Sequence, residues 1–175
     1  MKKFIETSNL IGQDIAFVQG GGGNTSIKID SHRMAIKASG FCLKDMTLEK
    51  GYSVVDFKKI CDYIENPDKD EASFVNKIKS FVVETTNRPS IETSLHALLG
   101  KAVIHSHSVY ANVINCSLNA PDLLNDLFPS AIWVEYAEPG RELSLKVLEA
   151  TKNSNIEEDL ILFLQNHGLI VSSKT

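Results

Sequence analysis

Lys101-Ala102-Val103-Ile104-His105-Ser106-His107 is the stretch on which the reading of this chain turns. Its apolar run is short and reads as a buried β-strand, and the strand ends on two histidines one residue apart. A second run, Leu160-Ile161-Leu162-Phe163-Leu164, reads the same way and ends in Gln165-Asn166-His167-Gly168. A lone histidine at a strand end by default only caps the strand. Three at the mouths of two buried strands can do more, because imidazole nitrogens can hold a catalytic divalent metal with one coordination position left open. The His-x-His spacing, the third strand-end histidine and a carboxylate nearby in sequence together favour metal.

Further elements follow outward from this stretch. Pro89-Ser90-Ile91-Glu92 opens a helix predicted to run to about Leu99, with Ser90 as its cap and Gly100 as its stop. Beyond the histidine pair, a helix is expected over residues 109–116 and a strand over 131–136. A turn at Pro139-Gly140 and a helix over 141–152 come next, with Leu143, Val147 and Leu148 on one face. Leu169-Ile170-Val171 resumes extended structure after His167. Towards the start, a loosely amphipathic helix is expected over 2–17. A glycine run (20–23) follows, then short strands at 27–29 and 34–37 around a hairpin at 30–33. Residues 54–81 mix a strand, one or two helices and a loop near Asn66-Pro67-Asp68. Helices alternating with buried strands predict an α/β domain with helices packed on a sheet.

Composition narrows the class. A chain of 175 residues can build one sizeable core, so residues 1–175 are read as a single domain. A formal charge of −4 without a Lys/Arg stripe excludes a nucleic-acid footprint. No apolar stretch reaches membrane-spanning length, and the start lacks the apolar region of a signal peptide. Cys42, Cys61 and Cys116 are odd in number and widely spaced, which points to free thiols and a cytoplasmic location.

Several further groups could do chemistry, each with a plainer alternative. Gly20-Gly21-Gly22-Gly23 before Asn24-Thr25-Ser26 is either a tight turn or a concavity of backbone N–H groups suited to an anion. It lacks the Gly-Lys-Ser/Thr ending of a Walker loop, and a strand rather than a helix follows it. Ser39-Gly40 is an ordinary strand exit or a second set of small donors. Glu92 is a stabilising charge in the first turn of a helix, or a metal ligand or proton acceptor. Ser90 can present its hydroxyl and N–H groups to an anion. His96, four residues after Glu92, is read as its surface partner rather than as a ligand. His32 is expected in solvent, and Trp133 and Tyr136 in packing.

Taken in order, Gly22-Gly23-Asn24-Thr25-Ser26, Ser39-Gly40, Pro89-Ser90-Ile91-Glu92, His105-Ser106-His107 and Asn166-His167-Gly168 resemble the zinc-dependent class II aldolase/adducin domain family. That family includes fuculose- and rhamnulose-phosphate aldolases, ribulose-phosphate 4-epimerases and methylthioribulose-phosphate dehydratases. The resemblance implies a central, largely antiparallel β-sheet flanked by helices on both faces. It implies that His105, His107 and His167 bind Zn2+ or another divalent metal, and that Glu92 is the resting ligand or catalytic acid/base. Asn24, Ser39, Gly40 and Ser90 would line a pocket for a substrate phosphate, shaped by Gly23 and Thr25. The activity implied is retro-aldol cleavage of a phosphorylated ketose through a metal-stabilised enediolate. Epimerisation or dehydration on the same scaffold, and a non-catalytic adducin-like interaction domain, stand as alternatives. Family members usually form fourfold-symmetric tetramers, so a homotetramer acting on a small sugar phosphate is expected. Ile91 stands where phosphate-binding aldolases usually carry a second serine, as in aldolase domains fused to dehydrogenases. Tyr110 and Tyr136 are the candidates for a proton-donating tyrosine. The chain ends just past the third histidine, so it is read as a compact member or as a domain without the family's C-terminal helices.

Overall fold

The computed structural model describes residues 1–84, 87–156 and 158–175. Its elements are α1 (Lys2–Gln13), β1 (Asn24–Lys28), β2 (Arg33–Lys37), β3 (Tyr52–Asp56), α2 (Phe57–Ile64), α3 (Glu71–Ser80) and α4 (Thr93–Leu98). Then come β4 (Ala102–Ser106), α5 (Val109–Asn115), α6 (Ala120–Leu127), β5 (Ile132–Val134), α7 (Arg141–Thr151), β6 (Leu160–Leu164) and β7 (Gly168–Ser173). The strands form one sheet in the order β3-β2-β1-β4-β7-β6-β5. Every pairing is antiparallel except that of β5 with β6. The sheet is therefore largely antiparallel, as expected.

Side chains on a strand alternate between faces, and here both faces are buried. Leu162 and Leu164 join Val103 and Ile170 under Leu95 of α4 and Leu143 and Val147 of α7. Phe163, between them in sequence, turns the other way and packs on Ala111 of α5 and Leu124 of α6. The other half of the sheet repeats the division. Met34, Ile36 and Val55 pack on α2 and α3, while Ala35 and Val54 meet Phe4 and Ile5 of α1. Helices thus cover both faces because successive strand residues are apolar in both directions. Asp56 and Asp70 fix where α2 and α3 begin, their carboxylates accepting from the N–H of Lys59 and Ser73.

Several expected boundaries move. Helix α1 stops at Gln13, because Asp14 leaves helical geometry and its carboxylate accepts from Ala16 N–H at 2.8 Å. Strand β1 begins at Asn24, not Ile27, since Asn24 already pairs with His105 of β4. Strand β5 ends at Val134, as Tyr136 N–H donates to the Gln165 side chain and not to a ladder. Ser90 does not cap α4. The helix starts at Thr93 with Glu92 in the cap position, and the Ser90 hydroxyl accepts from Glu92 N–H at 3.3 Å. No helix among the described residues is long and apolar enough to cross a membrane.

The alternation on β6 can be tested directly. Leu162 is fully buried, whereas Ile161 beside it is 37% exposed. Leu162→Ala should lower unfolding free energy by about 2–5 kcal/mol in urea titrations. Ile161→Ala should lower it by less than half as much. Equal losses would contradict the assignment of faces.

Candidate metal centre

Four segments converge at the C-terminal end of β4. His105 lies on this strand, entirely out of solvent. Its Nδ1 is 3.2 Å from Leu169 O on β7. A carbonyl only accepts, so Nδ1 carries the proton and Nε2 keeps a free lone pair. His107 stands just beyond the strand end, with its Nε2 3.2 Å from His105 Nε2. His167 comes from the turn between β6 and β7. The ligand atoms of the three histidines all lie within 4.8 Å of one another.

Glu92 closes the group from the start of α4. Its Oε1 is 3.3 Å from His167 Nε2 and 3.5 Å from His105 Nε2. The Asn24 amide donates to Oε2, whereas Oε1 is buried without a hydrogen bond. The residues present fit a divalent cation. Zinc with tetrahedral bonds of about 2.0–2.1 Å places neighbouring donor atoms about 3.3 Å apart. The 3.2, 3.3 and 3.5 Å separations match such edges. Three imidazoles and one carboxylate form a nitrogen–oxygen donor set of the kind zinc takes.

Burial shapes the charges. It pushes His105 and His167 down to about 4, and lowers His107 as well. The imidazoles are therefore neutral near pH 7, as ligands must be. Burial pushes the Glu92 carboxyl above the usual carboxylate range, against the pull of His167, His107 and the Asn24 amide.

Glycines permit the convergence. A Cβ on Gly168 would lie 2.5 Å from Ser106 O and 2.9 Å from His105 Cε1. Gly23 has φ +68°, and a Cβ there would meet Val18 Cγ1 at 2.6 Å.

A cleft of about 360 Å³ opens beside the histidines and Glu92. Gly23, Asn24, Ser39, Gly40 and Ser90 all line it. Thr25 does not, because its side chain points to the opposite sheet face and meets Ser8 Oγ at 2.7 Å. Ile91 reaches the cleft in place of a second hydroxyl. Lys37 and Arg88 also line it, and the sequence reading passed over both. Lys37 is buried with its ammonium donating to Gly21 O at 3.0 Å, and desolvation lowers its pKa. Each is a single basic residue beside a motif, Lys37 before Ser39-Gly40 and Arg88 before Pro89-Ser90, and that adjacency was the available signal.

His96 requires a correction. It is not a surface partner of Glu92 but is fully buried, with Nδ1 2.8 Å from Ser26 Oγ and its pKa held at about 3 by desolvation. Thr93 to Ala97 of α4 are all buried, as is Glu92, so the four-residue spacing does not place the two on an exposed face. Tyr110 and Tyr136 are exposed and outside the cleft lining, so neither is placed as a proton donor. Tyr136 is also not a packing residue, its hydroxyl donating to Glu138 Oε1 at 2.8 Å. Trp133 packs against the α5–α6 cluster and His32 is exposed, as expected.

A family model described as Class II Aldolase and Adducin N-terminal domain matches residues 2–175. The chain belongs to the class II aldolase and adducin family. Among curated relatives, the Bacillus subtilis (strain 168) protein named uncharacterized oxidoreductase YuxG is 31% identical over 188 residues, covering 100% of this chain and 27% of that protein. The chain thus spans about a quarter of that relative's length. The 3-oxo-tetronate 4-phosphate decarboxylase of Haemophilus influenzae is 24% identical over 165 residues, covering 89% of this chain and 69% of that enzyme. Among solved structures, the N-terminal class II aldolase domain of a conserved Thermoplasma acidophilum protein superposes with a TM-score of 0.85 at 26% identity. That match covers 98% of this chain and 83% of the other.

The buried imidazoles give the family site a pH signature in chelator-treated protein. Below pH 6.5 the unfolded chain protonates its histidines, while His96, His105 and His167 stay neutral in the fold down to about 3, 4 and 4. The unfolded state then binds more protons, so stability falls with pH by about 1.4 kcal/mol per unit for each such group. Glu92, raised above 4.5, acts in the opposite direction but is one group against three. Urea midpoints should therefore drop steeply between pH 6.5 and pH 5, and a flat profile there would contradict the burial of the imidazoles.

Proposed function

We propose that this domain is a divalent-metal lyase, with zinc the favoured ion, that cleaves a carbon–carbon bond of a phosphorylated ketose in the retro-aldol sense. The observation that carries this is the convergence of three imidazole Nε2 atoms and the Glu92 carboxylate at the floor of a cleft walled by cations. His105, His107 and His167 would hold the ion. A divalent cation bound there supplies Lewis-acid stabilisation of the negative charge that cleavage leaves on the ketose fragment.

The chain's own residues do the rest. Glu92 Oε1 handles the proton at carbon, accepting it in the aldol direction and returning it in cleavage. Desolvation favours the protonated carboxyl, which makes it competent as the acid, and the Asn24 amide on Oε2 leaves Oε1 turned to the site. Asn24, Ser39, Gly40 and Ser90 are assigned to the substrate phosphate, with Gly23 shaping the loop. Lys37 and Arg88 add positive charge to a wall where Ile91, standing for a serine, offers no hydroxyl donor. Family membership supports a homotetramer, and free Cys42, Cys61 and Cys116 support a reducing, cytoplasmic location.

Retention of all three histidines and Glu92 weighs against a non-catalytic, adducin-like role. Decarboxylation and epimerisation leave charge on the same substrate oxygens, so the ligand set does not separate them. Products do. Incubation with ketose 1-phosphates should yield a triose phosphate and an aldehyde. An isomer of equal length from a pentulose 5-phosphate would mean an epimerase, and carbon dioxide released from a phosphorylated 3-oxo acid a decarboxylase. The purified chain should carry one divalent ion, and chelation should abolish turnover. Glu92→Gln should lower kcat by roughly 10²–10⁴-fold while the ion is retained. A metal-free chain with full activity would refute the proposal.

A further inference from the structure

The third histidine is oriented differently from the first. The His105 ring is fixed through Nδ1, which donates to Leu169 O. His167 Nδ1 is buried with no hydrogen-bond partner. No hydrogen bond at Nδ1 fixes the ring, so the direction of His167 Nε2 depends more heavily on where its backbone is held. That backbone is a three-residue turn between β6 and β7, with Asn166 in the left-handed region at φ +53°.

Helix α5 grips this turn. Asn115 Nδ2 donates to Gly168 O at 2.9 Å, and the Asn115 carbonyl accepts from Asn166 N–H at 3.1 Å. Asn112 Nδ2 donates to His167 O at 3.4 Å, and Asn112 Oδ1 accepts from Asn115 Nδ2 at 3.0 Å. Residues 166, 167 and 168 are thus each bonded to α5. On the other side, Gln165 N–H donates to Val134 O at 2.9 Å, and Gln165 Oε1 accepts from Tyr136 N–H.

Packing alone does not explain Asn115. It is 1% exposed, and its Oδ1 has no partner. A leucine would fill that space without stranding an oxygen. What the asparagine supplies is two amide protons, and both are used on the turn and on Asn112. Helix α5 also follows directly from His107, with Ser108 as its cap. It therefore links the second histidine to the third.

We infer that Asn112 and Asn115 are positioning residues, a clamp that sets His167 against His105 and His107. The inference rests on the metal-site reading given above. Asn115→Asp keeps the volume but replaces the donor facing Gly168 O with an acceptor, and Asn112→Ala removes a single strut. In chelator-treated protein, the His167 ring ε1 resonance, assigned by its loss in His167→Gln, should broaden or split in Asn115→Asp while that of His105 stays put. Co2+ affinity should fall roughly 10–100-fold in that variant and by less in Asn112→Ala, with a weaker visible band as one ligand detaches. A purely structural role would lower the melting temperature but leave the ring signal and cobalt spectrum of the folded chain unchanged. Parent-like resonances and affinity in both variants would overturn the clamp. If Asn115→Asp does not fold, Asn112→Ala decides. A parent chain that takes up no cobalt would refute the metal reading, and the metal-free ring signal would still decide the clamp.

Discussion

Glu92 is only 5% exposed, and one of its oxygens faces imidazole nitrogens that carry no charge near neutrality. Moving an ionised carboxylate out of water costs several kcal/mol even after relaxation. The Asn24 amide returns about 1.5–3 kcal/mol as a hydrogen bond to a charged group. The start of α4 adds about 0.3–1 kcal/mol at most, since the helix is short. The Lys37 ammonium in the same cleft adds a favourable charge, and burial still raises the Glu92 carboxyl, so a proton or a further cation is favoured at this position. His105 has its proton committed to Leu169 O and so turns a lone pair toward the carboxylate, an arrangement that a proton on Glu92 or a shared cation would each satisfy.

The sheet register maintains this arrangement. Asn24 pairs with His105 across β1 and β4, and Ile170 pairs with His105 across β4 and β7. A one-residue slip in either ladder would carry the His105 ring to the opposite face, away from Glu92. Slippage is blocked by the two cores. Shifting β4 would also move Val103 out of the cluster it forms with Leu95, Leu162 and Ile170. Packing that stabilises the domain therefore also fixes the ligand geometry. The chemistry sits at strand ends because there a side chain can leave the core and still inherit its rigidity.

The histidines were legible in the sequence because an apolar run breaking into His-x-His has few other meanings. Both buried faces were legible as well, in the unbroken Leu160-Ile161-Leu162-Phe163-Leu164. What escaped depends on boundaries. The glycine run hid the start of β1, so Thr25 was placed with Asn24, though neighbours on a strand must point apart. The Glu92–His96 spacing reads as a surface pair, but Thr93 to Ala97 of α4 are all buried, so His96 turns inward to Ser26. Lys37 and Arg88 carry no signature beyond their nearness to Ser39-Gly40 and Pro89-Ser90, and only the tertiary fold brings them to one cleft. The asparagines of α5 look like ordinary helix residues until the turn they hold is seen.

One wall of the cleft is fixed from outside the site. Pro139 lines it, at the entry to α7, and Gly140 follows with φ +124°. A side chain at Gly140 would overlap the Glu71 carboxylate, which itself accepts from Arg141 N–H. Arg141 in turn donates through Nε to Asp68 O at 2.8 Å. The loop is thus tied to the start of α3, by residues that do not themselves line the cleft. A centre that stabilises charge on substrate oxygens is indifferent to whether cleavage, epimerisation or loss of carbon dioxide produced it. Selectivity must then lie in groups that touch the rest of the substrate. On the proposed reading, the candidates in this chain are Pro139, Ile91, Lys37 and Arg88, which line the cleft without belonging to the proposed ligand set.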